Sequence, residues 1–174
     1  RIVKERQVWS HPLSVFGVDK TMPRWLVQRS ETIIAVNVGG CLIPVGIALY
    51  QLAFIAPLGK DALSAVAIAV AINTIVCYMA ATPVPGVGIV MRGFVAPVTA
   101  VLSAVVLSVA FNAPQIAPPM AFVAGVLGPL IGADFLHIRD FIRTPVGVAS
   151  IGGAGTFDGI VLSGIFAAYL TPVM

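Results

Sequence analysis

After residue 31 the hydrophobic positions run together in five stretches: Thr32–Ala56, Ala62–Ala81, Val95–Phe111, Pro118–Leu136 and Val146–Leu170. Each is close to the roughly 20 residues that cross a hydrocarbon core, and the third and fourth are the shortest. Lipid offers no partner to a backbone N–H or C=O, so the stretches are predicted as helices. Residues 1–31 read differently. Val8-Trp9, Ser14-Val15-Phe16-Gly17-Val18 and Trp25-Leu26-Val27 alternate in a strand-like way between Pro12, Asp19-Lys20 and Pro23. The pattern predicts a small β hairpin or meander at the membrane surface, with Trp9 and Trp25 as interfacial anchors. The expected fold is an all-α polytopic membrane protein with about five transmembrane helices. Residues 1–31 form its β-rich surface segment and residues 32–174 its membrane domain.

Composition agrees with this reading. The 174 residues are 59% hydrophobic and 10% charged, with a mean hydropathy of +1.02. Soluble domains carry about 25% charged residues, so a disordered chain and a soluble enzyme are both excluded. Nine of the 17 charged residues fall in the first 31 positions. If all five stretches cross, one side receives Arg1, Lys4, Arg6, Lys20, Arg24, Arg29, Arg92, Arg139 and Arg143, and the other only Lys60. By the positive-inside rule the N-terminal segment is cytoplasmic. The net charge of +3 and pI near 9.2 are therefore orientation signals beside spans and do not indicate nucleic-acid binding. The polar N-terminus, starting at Arg1, has no secretory signal pattern. Cys41 and Cys77 lie in apolar stretches and read as small buried hydrophobes.

Three Gly/Pro-rich segments break the helical pattern: Asn37-Val-Gly-Gly40 with Pro44, Thr82-Pro-Val-Pro85-Gly86-Val-Gly88, and Ser150-Ile-Gly152-Gly153-Ala-Gly155-Thr156. Non-helical backbone at membrane depth survives only inside protein or beside a water-filled cavity. Broken helices around a polar interior, or close helix packing with proline kinks, both satisfy that constraint.

Asp134 and Asp158 are the two carboxylates inside predicted spans, and an ionisable group there is a functional candidate. Gly128-Pro-Leu-Ile-Gly132 precedes the first and Gly155-Thr156-Phe-Asp-Gly159 encloses the second. Both spacings let helix backbones approach closely. A pair of carboxylates sharing a proton suits hydrolysis, one activating water while the other protonates, and equally suits a proton or cation relay. The purely structural alternative is that each aspartate caps a broken helix or pairs with Arg92, Arg139 or Arg143. Asp134, His137 and Asp158 would make a three-ligand metal set, but no HExxH or cysteine pair supports it, and neither metal nor cofactor is expected.

The segments Asn37–Pro44, Pro83–Ile89, Leu130–Asp134 and Ser150–Gly159 together resemble the prokaryotic membrane family of domain of unknown function 1614, over most of the chain. That resemblance implies a multi-pass protein of the prokaryotic inner membrane with further hydrophobic sequence upstream, and it carries no activity over. A weaker likeness, to presenilin and prepilin-peptidase aspartyl proteases, implies Asp134 and Asp158 as the catalytic pair. Those proteases use Gly-x-Gly-Asp, whereas Thr156 and Phe157 here separate Gly153-Ala-Gly155 from Asp158.

Three functions remain open. One is aspartyl-protease-like hydrolysis of membrane peptide at Asp134 and Asp158, shaped by Gly132, Gly152, Gly153, Gly155, Thr156, Gly159, Asn37, Pro85 and Gly86. Another is a small proton- or cation-coupled carrier using the same carboxylates. The third is a non-catalytic subunit working in the bilayer with protein partners or as a homo-oligomer. Orientation has a direct test: Lys20→Cys should react with an impermeant maleimide only from the cytoplasmic face, and labelling from outside intact cells would reverse the topology.

Overall fold

The structure, a computed structural model, describes residues 2–8, 26–84, 88–143, 148–153, 160–166 and 169. Strands β1 (Ile2–Val8) and β2 (Leu26–Val36) form an antiparallel hairpin in which Ile2 opposes Thr32 and Val8 opposes Leu26. This is the small β element expected near the N-terminus. Strand β2 runs on through Ile33, Ile34 and Val36, and there it pairs in parallel with β5 (Val148–Ile151), giving a sheet of order β1-β2-β5. The two predicted spans that bracket these strands therefore begin with extended chain. Their β-branched residues suit a pleated ladder, and each strand satisfies the other's backbone.

Helix α1 (Ile43–Ile55) follows β2 through a π-helical turn, Val38–Leu42, and ends in a 3-10 turn at Ala56–Leu58. Pro44 sits in the first turn of α1, where its missing amide costs little. Helix α2 (Lys60–Ala80) returns, and a short hairpin of β3 (Thr82–Val84) and β4 (Gly88–Val90) leads to α3 (Val95–Ala110). Helix α4 (Ala117–Pro129) continues as a second π-helical segment, Leu130–Phe135, and short α5 (Ile138–Arg143) follows. Residues 160–166 are helical again. Val38–Leu58, Lys60–Ala80 and Pro114–Asp140 are long and apolar enough to cross a membrane, and Val95–Ala110 is a shorter apolar helix.

Helix α4 is the centre of the bundle, with Met120, Ala121, Val123, Ala124 and Val126 all fully buried. Helices α1, α2 and α3 pack around it. Helix α1 instead shows most of its surface, including Leu49, Tyr50 and Phe54. In a bilayer such exposure is a lipid contact, because lipid tails are as apolar as the side chains. Small residues let the helices close on α4. A Cβ added at Gly132 would overlap the Thr74 carbonyl oxygen of α2 and stand 3.0 Å from the Tyr78 amide nitrogen. The Gly128–Gly132 spacing thus serves contact with α2. The last helical segment meets α4 elsewhere, through Ser163 against Gly125.

One end of the bundle gathers the start of α1, the end of α2, the β3–β4 hairpin and the π segment after α4. The other end holds Gly59-Lys60 and the turn at Asn112, whose φ is 52°. Gly132→Ala should lower stability by about 1–3 kcal/mol, because backbone would have to move. Gly46→Ala, with nothing within 4 Å of the added carbon, should change it by less than about 0.5 kcal/mol. Unfolding of the purified protein by SDS, followed by circular dichroism, measures both.

Candidate functional site

Three departures from regular helix meet at one place. The first is Asn37, between β2 and the π turn. Its Oδ1 accepts the Gly39 amide at 2.9 Å and the Gly40 amide at 3.1 Å, satisfying two donors that a helix start leaves open. Its own amide donates to the Ile151 carbonyl at 3.0 Å, which ties this turn to the end of β5.

The second is the turn at Gly152, with φ of +66°. A Cβ there would lie 2.6 Å from the Gly40 carbonyl carbon and oxygen and 2.9 Å from the Cys41 nitrogen. Glycine is required by both the left-handed backbone and the close approach. The next residue, Gly153, donates its amide to Ser150 O at 3.0 Å, which closes the turn.

The third is the π segment Leu130–Phe135. Pro129 brings no amide to the helix ladder, and the chain behind it widens so that Leu136 N–H donates to the Ile131 carbonyl, five residues back, at 3.0 Å. Insertions of this kind redirect side chains and recur at functional sites. Here the segment carries Asp134, which is 2% exposed. The Gly152 amide donates to Asp134 Oδ2 at 2.5 Å.

A buried carboxylate is thus held by a backbone amide from a broken segment, and that segment in turn packs against Gly40 and Cys41 at the turn leading into α1. A carboxylate is chemically able to bind and release a proton, and an ionisable group at membrane depth is a functional candidate on that ground. Among the described residues no group of three His, Cys, Asp or Glu could hold a metal ion.

A family model described as protein of unknown function, DUF1614, matches residues 1–170. The chain belongs to that family. No curated protein and no solved structure matches it. In this DUF1614 chain the residues singled out from sequence divide cleanly. Asn37, Gly152, Gly153 and Asp134 meet at the junction, and Gly132 lies two residues before the carboxylate, against α2. Pro85, Gly86, Gly155, Thr156, Asp158 and Gly159 lie outside the described residues.

Two neighbours were not foreseen in these roles. His137 Nδ1 lies 3.1 Å from the Gly132 carbonyl; a carbonyl only accepts, so Nδ1 carries the proton. Its ring lies against Tyr78 with centroids 4.7 Å apart. Asn73, buried on α2, donates from Nδ2 to the Ala124 carbonyl at 2.8 Å and accepts the Cys77 thiol at 3.5 Å. It is the single carboxamide in its apolar stretch, four residues before Cys77, and that isolation was its signal in the sequence.

Removing the Asn37 acceptor should open the junction locally. In Asn37→Ala the Gly39 and Gly40 amides should exchange with deuterium about five- to thirtyfold faster, the equivalent of a cap worth about 1–2 kcal/mol. Amide exchange followed by mass spectrometry over residues 37–42 checks this.

Proposed function

We propose that this protein is a multi-pass protein of the prokaryotic inner membrane that moves protons or a small cation through a site centred on Asp134. In this reading the N-terminal hairpin, within residues 1–31, faces the cytoplasm and residues 32–174 form the membrane domain. One observation carries the proposal: the buried Asp134 carboxylate accepts the Gly152 amide where two π segments and a strand end meet. Ionisable groups in membrane helices are costly and mark ion or proton paths. Carriers commonly place such groups beside broken helices, whose free backbone groups complete the site.

A second reading uses the same carboxylate together with Asp158, which follows Gly152 by six residues in the sequence. A two-aspartate site of the presenilin type would hydrolyse membrane-embedded peptide, with one carboxylate activating water and the other protonating the leaving amine.

Proteoliposomes loaded with a pH-sensitive dye and given a sodium or potassium gradient separate these readings. The wild type should convert the gradient into a pH change. Asp134→Asn, which keeps the shape and removes the ionisable proton, should abolish it while inserting normally. No gradient-driven change in the wild type sinks the carrier. Asp158→Asn with flux intact leaves Asp134 as the centre. Cleavage of a transmembrane peptide, lost in both variants, would establish the hydrolytic pair. Normal behaviour of cells carrying either variant would leave a non-catalytic subunit, working with partner chains or further copies of itself.

A further inference from the structure

We infer that Arg92 and Arg139 form a docking surface for the phosphate headgroups of anionic phospholipids at the basic end of the bundle. Two independent placements bring these residues together. Arg92 directly follows Met91, and Arg139 directly follows Ile138. Met91 and Ile138 pack into one small apolar cluster with Cys77, Ala81, Ile89, Ala96 and Ala133. The two arginines therefore sit on neighbouring segments that share a foundation, and both are exposed. Their backbones are fixed by turns: Val95 N–H donates to the Arg92 carbonyl at 3.1 Å, and Asp140 N–H to the His137 carbonyl at 2.8 Å.

What surrounds them identifies the occupant. Phe94 is 64% exposed, two residues after Arg92, and Phe135 and Leu136 are 52% and 54% exposed just before Arg139. Each cation thus stands beside a large apolar side chain at the level where the helices end. A lipid surface offers that combination, with acyl chains below and phosphates above. A soluble acidic protein would leave the apolar neighbours uncovered. Arginine also suits the role chemically, because its planar fork grips phosphate oxygens in pairs.

Among the described residues the opposite end carries one cation, Lys60, beside Asp61; at the basic end Arg139 likewise precedes Asp140, so Arg92 supplies the unbalanced positive charge. The charge difference between the ends is what the anionic cytoplasmic leaflet selects. This inference stands apart from the Asp134 site, and its test needs no transport.

Purified protein is taken from nanodiscs of phosphatidylethanolamine mixed with either phosphatidylglycerol or phosphatidylcholine, and retained lipid is counted by native mass spectrometry. The wild type should retain phosphatidylglycerol in preference to phosphatidylcholine. Arg92→Gln and Arg139→Gln should each weaken that retention about fivefold, and the double variant should lose the preference. Arg92→Lys with Arg139→Lys should keep part of it, which separates lost charge from lost fold. Lys60→Gln should match the wild type. Equal retention of both lipids by the wild type overturns the proposal, as does undiminished phosphatidylglycerol on the double glutamine variant. Equal loss in Lys60→Gln, or binding of an acidic peptide with no lipid preference, overturns it too.

Discussion

Backbone that leaves a helix inside or beside a bilayer has to find its hydrogen bonds in the protein, and the end of this bundle is arranged around that requirement. The Gly152 amide donates to Asp134, the Asn37 amide to Ile151, and the Gly39 and Gly40 amides to the Asn37 side chain. The first two bonds join separate segments where regular structure ends, and the other two close the Asn37 turn on itself. The breaks satisfy one another, which is why they lie together. The β2–β5 ladder follows the same logic, since each strand supplies the other's partners just before its chain turns.

Helix α4 and the π segment after it make this meeting place by being thin. Gly125, Gly128 and Gly132 present bare backbone to Ser163, Asn73 and Thr74, so helix axes approach closely without side chains between them. In lipid, packing of this kind has to replace the hydrophobic drive that holds soluble helices together. Asn73 adds a hydrogen bond to the α4 backbone at Ala124, in surroundings where water cannot compete. Pro129 ends the regular ladder at the point where α4 reaches the junction, and the wide turn beyond it delivers Asp134 to Gly152.

The carboxylate and the two arginines occupy the same end of the molecule in opposite settings. Asp134 is withdrawn from the surface, with the Gly152 amide donating to it. Arg92 and Arg139 project from the surface beside aromatic and aliphatic neighbours. On the readings proposed here, the first exchanges an ion and the second pair holds the bundle against an anionic leaflet.

Composition and periodicity alone determined the environment and most of the helices. A chain with so few charges after residue 31 has to bury itself in lipid, and the boundaries of Lys60–Ala80 and Val95–Ala110 are set by polar and Gly/Pro residues legible in order. Asp134 stood out because a carboxylate in an apolar run is rare, and Gly152 because glycines cluster where backbone turns. Thr32–Val36 and Val148–Ile151 read as helix in the sequence but form strands, because an apolar β-branched run fits a buried strand and a span equally well. Only the fold could place one beside the other, more than a hundred residues apart in sequence. The partner of Asp134 was likewise a tertiary matter. Its hydrogen bond comes from a backbone amide, a group every residue but proline possesses, so no side-chain pattern announces which amide will be near. That choice rested on a positive φ at Gly152 and on the absence of a side chain where Gly40 and Cys41 press against it.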